Sequence, residues 1–496
     1  MSNKKYILAI DQGTSSTKSL IFDDQGQAVA KGTENLHTHY FAAGFVEQEP
    51  MVILENVIAS VKKCLQQFTE KGMNRNDTAA IGISNQRETF VVWDKDGKPL
   101  YNAVVWQCKR SVQVCEELKQ QGLSQMISQK TGLVIDPYFS ATKLIWLFRN
   151  NEMVRSAIQN GEAYFGTIDT WLLYQFTNGK VYATDYTNAS RTLLFNLHTL
   201  QWDTDLVDIF GLTGINLPEI KSSSQMFGTT TLDGLFDNEV PVTALIGDSH
   251  AAAFGEGCFE KGTAKATMGT GCSILMNIGD KPVASTNGMV TTICWSMDGR
   301  IDYALEGVIV SCGATIEWLK NKLGLFNNSE QTEQMANAVA DNGGVYLVPA
   351  FSGLGSPHWD MERKASLTGI SFGSTKEHII RAALESIPYQ VKDVIVAMEN
   401  DAAISLTALN ADGGITANKF VMQFTADVLD KEVAAIGMPD VSALGAAYLA
   451  GLKAGVYDSI NALRDLNTTK TKYHPAADTV KVNTYYNGWC KAINKQ

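Results

Sequence analysis

A short strand, a glycine–threonine tip and an answering strand occur twice in this chain, about 255 residues apart. The first copy opens with Tyr6-Ile7-Leu8-Ala9-Ile10, a continuous apolar run of the kind buried on both faces of a sheet. The polar loop Asp11-Gln12-Gly13-Thr14-Ser15-Ser16-Thr17-Lys18 follows, and Ser19-Leu20-Ile21-Phe22-Asp23 returns. Asp24-Gln25-Gly26 then turns the chain into a third strand at Gln27-Ala28-Val29-Ala30. The second copy runs Thr263 to Thr267, then Met268-Gly269-Thr270-Gly271-Cys272-Ser273, then Ile274 to Asn277. One such loop is weak evidence, because Gly-Thr turns are common. Two at this separation point to an internal duplication, with two similar domains each offering a loop of backbone N–H groups to phosphate.

Length agrees, since 496 residues exceed what one core supports and two domains of roughly 250 residues are expected. We place them at residues 1–252 and 253–496, because Gly247, Gly255 and Gly257 flank Ala251-Ala252-Ala253 at the midpoint. The C-terminal part carries helical patterns from Glu377 to about Ala397 and from Ser442 to Ala454. In the second, Gly445, Ala446, Ala447 and Gly451 make a small-residue face suited to close helix packing.

With 45% hydrophobic and 19% charged residues, the chain reads as an ordinary soluble protein. No apolar run approaches the roughly 20 residues of a membrane span, and Met1 to Tyr6 leads into a strand with no signal-peptide pattern. The cytoplasm is the expected compartment. A net charge of −11 leaves no basic excess to displace counterions, which argues against nucleic acid as a partner. The eight cysteines form no C-x-x-C pair, so buried reduced thiols are expected rather than a zinc site.

Phosphoryl transfer needs a phosphate cradle, a place for Mg²⁺ and a group that positions the acceptor hydroxyl. Asp11, at a strand end beside Gly13, Thr14 and Ser15, suits hydrated Mg²⁺, which takes only one or two carboxylates. It equally suits a capped hairpin, and no G-x-x-x-x-G-K-[ST] loop exists here. Asp248 ends the apolar run that starts near Pro241, where a carboxylate can act as general base or cap the following helix. Arg87 and Glu88 follow the apolar-small run Ala79 to Ile83. They offer a donor and an acceptor to neighbouring hydroxyls, although a surface ion pair explains them as well. Trp106 and Tyr138 supply an apolar wall and a phenol, or plain core packing. Asp412-Gly413-Gly414-Ile415-Thr416-Ala417-Asn418 precedes a helix from Lys419 to about Leu429, and paired glycines there let a ligand approach the backbone.

Together these segments resemble the FGGY family of carbohydrate kinases. The resemblance is carried by Tyr6 to Lys18, Asn85-Gln86-Arg87-Glu88-Thr89, Val105-Trp106-Gln107-Cys108 and Thr131 to Ser140 with Thr142, Lys143 and Trp146. Asp185 to Thr192 and Ala365 to Glu385 add to it. It covers residues from about 5 to 455. It implies an α/β fold of two actin-like (ribonuclease H-like) domains, each with a βββαβαβα core, closing over a catalytic cleft. ATP and Mg²⁺ are then the expected cofactors and a small polyol the partner, with glycerol first. A homodimer or homotetramer is the expected assembly. Asp11 would hold Mg²⁺ and Asp248 would be the base. Arg87, Glu88, Trp106, Tyr138 and Asp248 would line the polyol pocket with Ser249 and Ser273. Thr14 and Thr270 would contact ATP phosphates, and Ser15, Ser16, Lys18, Gly269, Gly313, Glu317, Gly414 and Asn418 would complete the nucleotide site.

Two departures bear on the acceptor. Glycerol-using members usually read Gly-Asp-Gln-Gln where this chain has Gly247-Asp248-Ser249-His250, and usually place Phe where it has Ser273. Losing that glutamine removes one hydrogen bond, worth about 0.5–1.5 kcal/mol, and losing the phenyl ring opens volume. A longer polyol or a ketose is therefore the alternative acceptor. A non-catalytic sugar sensor is a third reading, against which the intact Asp11 and Asp248 speak.

Overall fold

The computed structural model describes residues 5–466 and 470–494. The expected domain limits at Met1 and Gln496 lie outside these residues. A single 13-stranded sheet runs through the molecule, and the duplication is written in its strand order. In the first half the edge strand Ala28–Asn35 is followed by Ser16–Phe22, Tyr6–Gln12, Thr78–Asn85 and Val240–Gly247. The second half repeats that order with Arg300–Ile309, Cys272–Gly279, Thr263–Met268, Ala408–Asp412 and Val433–Ile436. In both, the hairpin strands pair antiparallel and the following strands join them in parallel. This is the three-strand meander with parallel additions of a ribonuclease H-like core. One parallel bridge between Ser224 and Met297 joins the halves.

The third strand is longer than expected, Ala28–Asn35, an edge strand whose exposed positions include Lys31 and Thr33. The helix Lys376–Ala402 likewise outruns its predicted span and carries Pro388 within it. Lys419–Leu429 falls where expected.

A smaller five-stranded sheet, ordered His39–Tyr40, Val46–Gln48, Ala103–Val104, Phe90–Trp93 and Tyr164–Thr167, is inserted in the first half. With the helices Val112–Gln120, Ser124–Thr131 and Ser140–Asn150 it builds a separate core that walls one side of the cleft.

The helix Val441–Ala454 shows how far chain order departs from packing. It lies on Tyr6–Gln12, Thr78–Asn85 and Val240–Gly247, the first-half strands, and against the helix Asp248–Gly255. Its small-residue face makes this possible. A Cβ on Gly445 would sit 1.8 Å from the Ala251 carbonyl oxygen, so only glycine lets the two helix backbones meet. The eight cysteines are unpaired, seven of them buried. No helix among the described residues is long and apolar enough to cross a membrane.

Candidate active site

Strand ends deliver the chemistry. Tyr6–Gln12, Thr78–Asn85 and Val240–Gly247 lie side by side in parallel, with Gln12, Asn85 and Gly247 in register. The residues at and just beyond these ends therefore meet: Asp11, Arg87, Glu88 and Asp248. Parallel strands concentrate function at their C-terminal edge in this way.

A cavity of about 290 Å³ opens there. Of the expected residues, Thr14, Arg87, Glu88, Trp106, Tyr138, Asp248, Ser249 and Ser273 line it. Lys265, Thr267 and Asp412 reach it from the second half.

Arg87 and Glu88 are neither a surface pair nor a pair with each other. Arg87 Nη2 lies 2.9 Å from Glu306 Oε1, and its Nε lies 3.3 Å from Asp248 Oδ1. Glu88 Oε1 accepts from Arg191 Nε at 2.6 Å, and Arg191 Nη1 lies 2.6 Å from Glu306 Oε2. Two guanidiniums thus balance two carboxylates, all four side chains being at most 7% exposed. Burial works against the Glu306 carboxylate, yet Arg191 and Arg87 hold its pKa far below the usual range. Asp248, at 38% exposure, is the acid beside this cluster that remains open to the cleft.

Asp248 is fixed through its backbone. Gly247, not Asp248, occupies the N-cap of Asp248–Gly255, because the strand carries extended backbone up to that glycine. The Gly247 N–H donates to Thr187 Oγ1 at 2.9 Å, and Ser442 Oγ donates to the Asp248 carbonyl at 3.1 Å. The carboxylate itself accepts from the Ser249 N–H at 2.6 Å.

Glu88 adopts φ +60°, a left-handed conformation that is rare for a non-glycine residue and is found where a site over-determines the backbone. Ser140 Oγ donates to its carbonyl at 2.8 Å. Trp106 and Tyr138 stand edge to face with ring centres 5.5 Å apart. The indole N–H donates to Thr14 Oγ1 at 2.9 Å, which ties the first loop to the pocket wall. Burial and the Glu88 charge push the Tyr138 phenol well above its ordinary range, so it remains a neutral donor. Ser249 Oγ and Ser273 Oγ face each other at 3.4 Å, and Ser273 Oγ lies 3.4 Å from Glu306 Oε1. Behind them His250 is fully buried with no partner on either ring nitrogen, and burial beside Arg87 keeps it neutral.

Asp11 accepts from Ser84 Oγ at 2.9 Å. Desolvation pushes its carboxyl up to about 6, with the Asp248 charge adding to the rise and the Ser84 hydroxyl opposing it. The Lys18 charge also opposes the rise, although that ammonium is paired with Asp440 at 2.8 Å. Asp248 lines the cavity and Asp11 stands behind its lining, and a hydrated divalent cation would offset the repulsion between the two carboxylates. Among the described residues no cluster of three or more His, Cys, Asp or Glu forms a protein-only cage, so water and phosphate oxygens would complete an Mg²⁺ shell.

The second loop converges with the Gly-Gly segment. Gly269 O accepts from the Gly313 N–H at 2.9 Å, and Thr270 O accepts from Cys312 and Ala314 at 2.9 and 3.0 Å. Gly413, at φ +94°, passes so close to Met268 that a Cβ would lie 2.5 Å from its carbonyl oxygen. Gly414 next to it has open space around its Cα. Asn418 caps Lys419–Leu429, accepting from the Val421 N–H at 3.1 Å. Ser15 is exposed and the Ser16 carbonyl closes the tip by accepting from Gly13 at 3.0 Å. Glu317 is exposed on the helix Gly313–Asn321, bonded to Asn321 at 2.9 Å, and does not line the cavity.

Residue types alone did not single out Glu306, Arg191, Lys265 or Asp412. A signal for Glu306 was present, a lone charge inside the apolar run Tyr303 to Val310.

Residues 6–255 match the model of the FGGY family of carbohydrate kinases, N-terminal domain, and residues 264–454 match its C-terminal domain. The chain belongs to the FGGY family of carbohydrate kinases. It is an ATP-dependent kinase by that membership. Glycerol kinase from Pseudomonas fluorescens (strain Pf0-1) is 47% identical over 496 residues, covering 100% of this chain and 97% of the relative. Glycerol kinase from Thermoanaerobacter sp. (strain X514) is 47% identical over 492 residues, covering 99% and 98%. Among solved structures, Plasmodium falciparum glycerol kinase with ADP superposes with a TM-score of 0.93 at 36% identity, covering 98% of this chain and 97% of that one. Xylulose kinase from Lactobacillus acidophilus, at 23% identity and a TM-score of 0.88 over 99% and 98%, shares the fold.

Proposed function

We propose that this FGGY kinase transfers the terminal phosphoryl group of ATP to a terminal hydroxyl of glycerol, giving sn-glycerol 3-phosphate. The observation that carries this reading is the convergence of Arg87, Glu88, Trp106, Tyr138 and Asp248 on one cavity, together with full-length similarity to glycerol kinases. Arg87 and Glu88 present a donor and an acceptor to adjacent hydroxyls, while the Trp106 face covers the carbons. Asp248 accepts a hydrogen bond from the reacting hydroxyl and takes its proton late, as a loose phosphoryl-transfer transition state requires. Arg87 steadies that carboxylate without burying it. On the phosphate side, the loop tips at Thr14 and Thr270 and the segment Asp412 to Gly414 offer backbone donors, and Lys265 adds a charge. When bound, Mg²⁺ on the Asp11 side would neutralise phosphate charge. We divide the chain near residue 252, and propose a homodimer or homotetramer acting in the cytoplasm.

A second acceptor class is favoured by one observation. The Ser249–Ser273–Glu306 hydroxyl and carboxylate row makes the far end of the pocket polar, which suits an extra hydroxyl of a four- or five-carbon polyol. A steady-state assay coupled to ADP release, run with glycerol, dihydroxyacetone, erythritol, xylitol, ribitol and xylulose, separates the two. The highest kcat/KM is expected for glycerol, and a longer polyol outrunning it would replace the substrate assignment.

A further inference from the structure

The acceptor pocket owes Tyr138 its position, and a buried lysine outside the cavity stands behind that residue. Lys143, one turn into the helix Ser140–Asn150, is 0% exposed. Its Nζ donates to the carbonyl oxygens of Pro137, Tyr138 and Phe139 at 2.6, 2.6 and 3.0 Å. An ammonium has three N–H donors and no acceptor, so three converging carbonyls use it completely. Burial pulls the Lys143 pKa down to about 7 even against the Glu88 charge, and the three carbonyl dipoles favour the charged form. The other side of the same residue is also held, because the Tyr138 N–H donates to Asp136 Oδ1 at 2.8 Å.

We propose that Lys143 is a positioning residue for the phosphoryl acceptor, clamping the Asp136–Phe139 turn so that the Tyr138 phenol meets the polyol in a fixed place. With the peptide groups on both sides of Tyr138 pinned, its ring retains only side-chain freedom, and Trp106 at 5.5 Å restricts that too. The same helix start holds the left-handed Glu88 through Ser140. One rigid mount therefore carries two pocket walls, which is how a site is kept within a fraction of an ångström of its productive geometry. The inference rests on the acceptor-site reading above and adds a residue that touches no substrate.

The test is a double-mutant cycle on the full chain with Lys143→Met and Tyr138→Phe, with glycerol as acceptor. Lys143→Met is expected to raise the glycerol KM about tenfold while the ATP KM stays within about twofold, the pattern of lost acceptor binding. In the Tyr138→Phe background the further rise should be under about threefold, since the clamp acts through that phenol. An equal rise in both backgrounds, or an unchanged KM in folded Lys143→Met, overturns the proposal. If Lys143→Met does not fold, Asp136→Ala loosens the other end of the clamp from a half-buried position. A glycerol KM raised about threefold supports the proposal, and an unchanged one overturns it. Should the wild-type protein phosphorylate no glycerol, the functional reading fails separately. The clamp is then read from the ¹⁹F resonance of fluorotyrosine at position 138, assigned by its loss in Tyr138→Phe. That resonance should shift or broaden in Lys143→Met or in Asp136→Ala, and an unchanged one overturns the clamp.

Discussion

Neutralising Glu306 should destabilise the protein more than any exposed charge change. Its carboxylate lies 2.9 Å from Arg87 and 2.6 Å from Arg191 in a cluster at most 7% exposed. Two guanidiniums and two carboxylates cancel there, so Glu306→Gln leaves one buried positive charge unbalanced. Breaking a buried pair in this way costs about 3–5 kcal/mol. Arg191→Met leaves the opposite imbalance and should cost a similar amount. The double variant retains Arg87 and Glu88 and is neutral again, so its loss should fall short of the sum by about 2 kcal/mol or more. Chemical denaturation of the four proteins measures this. The sign of the pH dependence is fixed as well. A carboxyl held far below its unfolded pKa contributes stability that is present above the unfolded carboxylate range and is lost as pH falls below it. The gap between wild type and Glu306→Gln should therefore narrow in acid. Additivity within about 0.5 kcal/mol, or a gap that widens in acid, would refute the charge-balance argument.

Asp169 offers an opposite pH signature. It is fully buried, and desolvation with the Asp185 charge pushes its carboxyl up to about 7, so its contribution is fully present below its unfolded pKa and lost as pH rises through about 7. Asp169→Asn should flatten the stability profile and gain a few kcal/mol relative to wild type above that pH, as thermal denaturation from acid to mildly alkaline buffer would show. Gly445→Ala places a methyl 1.8 Å from the Ala251 carbonyl oxygen. Its melting temperature should fall by several degrees, a loss of about 1–3 kcal/mol, because two helix backbones must part. Ser273→Phe fills the polar end of the pocket beside Ser249. It should reduce turnover of four- and five-carbon polyols more than that of glycerol in the acceptor assay.

Local pattern made much of this legible. The two hairpins, the Lys419–Leu429 helix and the small-residue face of Val441–Ala454 all follow from residue types at short spacing. Partners distant in sequence did not show. Arg87 and Glu88 are adjacent and of opposite sign, which invites pairing, yet each pairs with a residue more than a hundred positions away. The small face of Val441–Ala454 was plain, whereas its seat on first-half strands depends on a crossover that no local signal encodes. Lys143 lay inside the recognised segment, but only the turn of the chain shows its ammonium meeting three carbonyls. Glu317, expected at the nucleotide site by resemblance, lies exposed on the helix Gly313–Asn321 and accepts from Asn321.

The most direct test is to incubate wild type and Asp248→Asn with Mg-ATP and glycerol and identify the product by chromatography against sn-glycerol 3-phosphate. Wild type should accumulate that product, while Asp248→Asn should lose about 10²–10⁴-fold in rate and still bind ATP. Glycerol left unphosphorylated by wild type, or a variant that keeps its full rate, would contradict the assignment of this cleft.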